Sequence, residues 1–185
     1  MKNILIVIPA RGGSKGIPRK NVRKLNNKPL IYYSINNSLK LNLADYKFDV
    51  LVSSDDEEIL EYSKRFGALI HKRSTEISSD KITLDPVIYD AYISQNKLYE
   101  LIITVQPTSP LLKHESLKKA ILKILKNKRI DTIISASEDT HLTWKQNLDR
   151  YIPLYKERVN RQQLPKIYKE TGSFLITRSN IISKS

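Results

Sequence analysis

The chain has 185 residues, enough for one globular domain with a substantial core. Its 32 Lys and Arg residues outnumber 19 Asp and Glu, and the formal net charge of +13 favours anionic partners such as nucleotides, nucleic acids or acidic lipids. Cysteine is absent, so disulfides and thiolate metal sites are excluded, in agreement with a reducing compartment.

Residues 4–8 form a short continuous apolar run, the pattern of a strand buried on both faces. The run is too short to span a membrane. Arg11 and Gly12 follow it where a signal peptide would carry a small-residue cleavage site, so a cytoplasmic protein with no membrane partner is expected. A turn at Asn26 and Asn27 leads to a helix over 30–43. Residues 48–53 read as a second strand, and Ser54-Asp55-Asp56-Glu57 as a capping box opening a helix over 56–66. Gly67 suits the stop of that helix.

A short strand is expected at 68–71. A helix follows over 83–96, with Asp85 as its cap and Pro86 in its first turn. Residues 100–105 are a strongly β-branched strand ending at Gln106 and Pro107. An amphipathic helix over 116–128 gathers Leu117, Ala120, Ile121, Ile124 and Leu125 on one side. Its lysines read as a solvated face. Further strands are expected at 132–135 and 173–177. Residues 138–170 break the alternation and carry Trp144, several tyrosines and the basic run Arg158–Arg161. Such an insert is expected to serve as a lid or a subunit contact.

Regular alternation of strand and helix predicts an α/β fold with a mostly parallel sheet flanked by helices. Such sheets bind ligands beyond the carboxyl ends of their strands. Three loops with unusual chemistry leave strand ends, at 9–21, 73–81 and 106–111. The first reads Pro9-Ala10-Arg11-Gly12-Gly13-Ser14-Lys15-Gly16-Ile17-Pro18-Arg19-Lys20-Asn21. Its glycines allow backbone N–H groups close to phosphate oxygens, and two arginines and two lysines supply charge. The loop matches neither a P-loop nor a Gly-x-Gly-x-x-Gly dinucleotide fingerprint.

Taken whole, this loop resembles the signature of the acylneuraminate (CMP-sialic acid) cytidylyltransferases. The resemblance continues in Arg73-x5-Ser79-Asp80, in Gln106-Pro107-Thr108-Ser109-Pro110, in Arg161-Gln162-Gln163-Leu164-Pro165 and in Tyr168-x3-Gly172. It implies a Rossmann-like nucleotidyltransferase that joins a nonulosonate sugar to the α-phosphate of CTP, working as a single domain over 1–185 with a dimerisation or lid insert at 138–170. It further implies that Arg11 and Lys20 act on the reacting phosphates. Gly12, Gly13, Ser14, Lys15, Asn21, Arg73, Ser79 and Asp80 would complete the nucleotide site, and Gln106, Arg161, Gln162 and Tyr168 would meet the sugar. His141 and Lys145 are weaker sugar candidates.

The same resemblance implies Mg²⁺ and a homodimer. The family's metal-holding aspartates fall beyond Ser185, so no metal ligand is assigned here. Asp55 and Asp56 could be metal ligands, but a helix start explains them sufficiently. A chain without those aspartates could instead be a non-catalytic relative that binds CTP or dimerises. A basic nucleic-acid-binding domain is a further reading, but it would need charge clustered on one face, whereas these lysines are dispersed. Thr171, Leu175 and Leu112 depart from the family pattern, and the first two leave the sugar open among N-acetylneuraminic, legionaminic and pseudaminic types.

Overall fold

The computed structural model describes residues 1–79 and 81–182. In chain order the elements are β1 (Lys2–Pro9), β2 (Lys24–Leu25), β3 (Lys28–Pro29), α1 (Leu30–Leu39), β4 (Tyr46–Ser54), α2 (Glu57–Arg65) and β5 (Leu69–Lys72). They continue with α3 (Leu84–Ile93), β6 (Leu101–Val105), α4 (His114–Lys126), β7 (Thr132–Glu138), β8 (Trp144–Asn147), β9 (Arg150–Pro153) and β10 (Tyr168–Arg178). A six-stranded sheet runs in the order β5-β4-β1-β6-β10-β7. β1 is parallel to β4 and β6, and β4 to β5, whereas β10 runs antiparallel to β6.

The alternation of side chains along β1 builds both halves of the core. Ile4, Ile6 and Ile8 pack on one face with Ile31 and Ile35 of α1, Ile59 of α2, and Leu117, Ile121 and Ile124 of α4. Leu5 and Val7 pack on the other with Leu51, Ile102, and Ile88 and Ala91 of α3. β1 is therefore buried on both faces, which is why it reads as an unbroken apolar run.

All four helices differ from the sequence expectation at their ends, α4 beginning and ending two residues early, at His114 and Lys126. α1 stops at Leu39, four residues early; Leu41 is buried outside the helix and Leu43 bridges Tyr46, so these apolar residues serve the entry to β4. α3 runs from Leu84 to Ile93, and Asp85 lies within its first turn rather than at its cap, which is Thr83 without a side-chain bond. At α2 the cap is Asp56, whose carboxylate accepts from Ile59 N. Ser54 Oγ accepts from Asp56 N instead, and Glu57 pairs with Lys72, so the expected Ser54–Glu57 box does not form.

By compactness the chain forms two units, residues 1–134 with those from 172 onward, and residues 135–171. Within the second, β8 and β9 form an antiparallel hairpin, and Trp144 meets Tyr155 edge to face at 5.6 Å between ring centroids. Asp139 N donates to Ile167 O, and Thr171 Oγ1 lies 2.9 Å from Ser135 Oγ.

Candidate functional site

Strand register brings four chain segments to one edge of the sheet. Pro9 stands beside Ser53 and Ser53 beside His71, so the segments beginning at Ala10, Asp55 and Arg73 leave side by side. Ala10 N donates to Ser53 O and Arg73 N to Ser54 O, which fixes those exits. β6 ends on the other side of β1, and Gln106 N donates to Ser173 O as the chain leaves it. All four parallel strands point the same way, so their carboxyl ends share this edge.

A cavity of about 430 Å³ opens there. Among the expected residues, Arg11, Ser14, Lys15, Lys20, Asn21, Arg73, Ser79 and Gln106 line it. Four of those eight are cations. Gly12 and Gly13 are in the loop but not in the lining, and Asp80 lies outside the described residues. Arg161, Gln162 and Tyr168 belong to the 135–171 unit: the first two lie in an exposed 3-10 turn closed by Asn160 and Gln163, and Tyr168 opens β10, exposed. In that unit His141 Nδ1 lies 3.0 Å from Asp139 Oδ1, and Lys145 is exposed on β8.

The loop is held at its base. Asn21 is 5% exposed, and its side-chain amide donates to Arg11 O at 2.9 Å while its own carbonyl accepts from Ile31 N. Asn21 thus lines the cavity but spends a donor on closing the loop. Gly12 N donates to Asp55 Oδ1 at 3.0 Å. Gly12 is required by space, because a Cβ there would lie 2.6 Å from Asp56 Oδ2. Arg19, counted among the loop's cations, turns to Asp56 and Glu58 rather than to the cavity.

Arg73 is 7% exposed, and its Nε has no hydrogen-bond partner among the described residues. Burial lowers its pKa from the ordinary value; Asp55, 3.8 Å from Nη2, opposes that shift and Arg11 adds to it. An arginine remains charged under such pressure, so an anion in the cavity would relieve the burial of its charge. Gly172 lies beside the Gln106 amide; its φ of +66° suits glycine, and a Cβ added there would stand 3.6 Å from that amide, an ordinary contact.

Sequence reasoning missed part of the wall. Ile77, Ser78, Ile82, Thr83, Leu84 and Val87 also line the cavity, giving its basic floor an apolar neighbour. Ile77 and Ser78 lie in the 73–81 loop, where only Arg73, Ser79 and Asp80 were singled out, and Thr83, Leu84 and Val87 lie in the segment read only as a helix.

The acidic pair beside the loop does not suit a metal. Asp55 and Asp56 are engaged by Gly12 N, Arg73, Arg19 and Ile59 N. Among the described residues, no group of three or more His, Cys, Asp or Glu stands close enough to hold a metal ion.

A mostly parallel α/β sheet with a basic, glycine-containing loop over the carboxyl ends of its parallel strands is an arrangement suited to a phosphorylated ligand. Residues 5–180 match the Cytidylyltransferase family, and the chain belongs to it. It is 36% identical over 184 residues to the pseudaminic acid cytidylyltransferase of Campylobacter jejuni subsp. jejuni serotype O:2, covering 94% of this chain and 77% of that protein. It is 33% identical over 194 residues to the N-acylneuraminate cytidylyltransferase of Oncorhynchus mykiss, covering 97% of this chain and 42% of that one. A solved CMP:2-keto-3-deoxy-manno-octonic acid synthetase complexed with CTP shares the fold, with a TM-score of 0.72 at 17% identity over 98% of this chain and 76% of that one. Among the described residues, no helix is long and apolar enough to cross a membrane.

Proposed function

We propose that this chain transfers CMP from CTP to a nonulosonate sugar and releases pyrophosphate. The observation that carries the reading is the cavity in which Arg11, Lys15, Lys20 and Arg73 converge at the carboxyl ends of the parallel strands. A sugar hydroxyl oxygen attacks the α-phosphorus, the bond to the β-phosphate oxygen breaks opposite it, and the hydroxyl proton is released. Such a displacement is governed by positioning and charge neutralisation, which these cations supply. Ser14 and Ser79 add hydroxyl donors, and Ile77, Ile82, Leu84 and Val87 give the cavity an apolar side suited to a base. Gln106 is the sugar contact in this reading. The names of the relatives support the nonulosonate class, and the 36% relative favours a pseudaminic-type sugar.

Mg²⁺ belongs to the proposal. It prefers a few oxygens and retained waters, and it accompanies nucleotide phosphates. With Asp55 and Asp56 committed to protein partners, the ion is proposed to enter on the triphosphate. Arg161, Gln162 and Tyr168 are proposed to meet the sugar in a homodimer, with the 135–171 unit at the subunit contact; the exposed Trp144, Tyr151 and Leu154 suit such a face. The absence of cysteine accords with a cytoplasmic site.

Arg11→Ala is expected to weaken CTP binding about tenfold or more by calorimetry, and Gln106→Ala to reduce sugar turnover with CTP affinity intact. Unchanged CTP affinity in Arg11→Ala would refute the nucleotide assignment. Lost CTP affinity in Gln106→Ala would refute the sugar assignment.

A further inference from the structure

We infer that Asp55 and Asp56 are positioning residues that lock the basic loop and Arg73 into their binding arrangement. The inference rests on the cavity being the CTP site. Neither acid lines the cavity; Asp55 stands beside Arg73, which does, and Asp56 holds Arg19 in the loop that supplies the other cations. Asp55 Oδ1 accepts from Gly12 N at 3.0 Å and lies 3.8 Å from Arg73 Nη2, so one carboxylate oxygen ties the loop to Arg73. Asp56 caps α2 through Ile59 N at 3.1 Å, which fixes its carboxylate on a rigid element.

Asp56 then meets Arg19 with both oxygens, Oδ2 taking Nη1 and Oδ1 lying 3.4 Å from Nη2, and Glu58 takes Arg19 Nη2 as well. Arg19 adopts φ +56°, a conformation that is unfavourable for a residue with a side chain. Its persistence accords with a pair that over-determines it. The bare Cα of Gly12 allows the loop to lie directly against Asp56.

Two physical consequences follow. Residues 10–21 form no regular structure and carry Arg11, Lys15, Arg19 and Lys20, so ordering them costs entropy and crowds like charges. An acidic pair behind the loop offsets the repulsion without occupying the space an anion would take. The loop is then ordered before the nucleotide arrives, and binding need not supply that ordering.

The substitutions Asp56→Asn and Arg19→Gln separate this role from helix capping. Asn caps a helix as well as Asp, and Arg19 is half exposed, so both variants keep the fold. CTP affinity by calorimetry, thermal midpoint, and KM for CTP against kcat are measured for both, for the double variant, and for Arg11→Ala. Each single variant is expected to weaken CTP binding about fivefold, raising KM while kcat stays within about threefold and the midpoint stays within a few degrees. The double variant is expected to be no weaker than the worse single, because one contact is removed twice.

Wild-type affinity in Asp56→Asn and Arg19→Gln, with binding lost in Arg11→Ala, would overturn the positioning role and leave the cavity reading intact. Additive losses in the double variant would also overturn it. Retained affinity in Arg11→Ala would overturn the cavity reading, and the positioning role with it.

Discussion

His71 has both ring nitrogens occupied near the end of β5, with Ser53 Oγ 3.1 Å from Nδ1 and Asp90 Oδ2 3.3 Å from Nε2. Burial lowers its pKa below the ordinary 6.5; Asp90 opposes the shift and the adjacent Arg73 adds to it. The folded chain therefore binds this proton less readily than the unfolded chain. The contribution of neutral His71 is fully present well above 6.5 and is lost as pH falls through that value toward the lower folded one. Urea midpoints at pH 7.5 and 5.5 are expected to fall less in His71→Gln than in the parent, and equal falls would contradict this. Nothing in the sequence marks His71, because Ser53, His71 and Asp90 sit on three elements that only the fold assembles. Arg11, Lys15 and Lys20 were legible because their chemistry is contiguous in one loop. Arg19 shows the limit of that legibility: its charge was visible, but its direction was set by Asp56 and Glu58, 37 and 39 residues away.

Gly67 follows α2 with φ +87°, and an added Cβ would meet only Leu39 Cδ1 at 3.7 Å, an ordinary contact. Gly67→Ala is thus expected to cost about 1–2 kcal/mol through backbone strain alone, read as a lower denaturation midpoint. No loss would mean that the turn relaxes. Elements were legible where one physical pattern dominated them. β1 is apolar from Ile4 to Ile8 because both faces are covered there, and α4 shows its helical stripe because one face meets the sheet. Helix ends were less legible, since Leu41 is buried whether or not it is helical, and the cap of α2 depends on which of Ser54, Asp55 and Asp56 the neighbouring loop engages. β10 read as one more strand, and its antiparallel direction was invisible because a half-buried strand looks alike from either end.

The whole molecule carries a net charge of +13, and its proposed substrates are both anions. Affinity for CTP is expected to fall with added salt, as screening shortens the reach of the cavity's cations. Light scattering is expected to give twice the 21.4 kDa chain mass at micromolar concentration, and a strictly monomeric active chain would contradict the proposed shared sugar site. The central claim is the transfer of CMP to a nonulosonate. Its most direct test is pyrophosphate release from CTP and Mg²⁺ with N-acetylneuraminic, legionaminic and pseudaminic acids supplied separately. Release with a nonulosonate, and with pseudaminic acid fastest, is the predicted result; CTP binding without release for any of the three would contradict it.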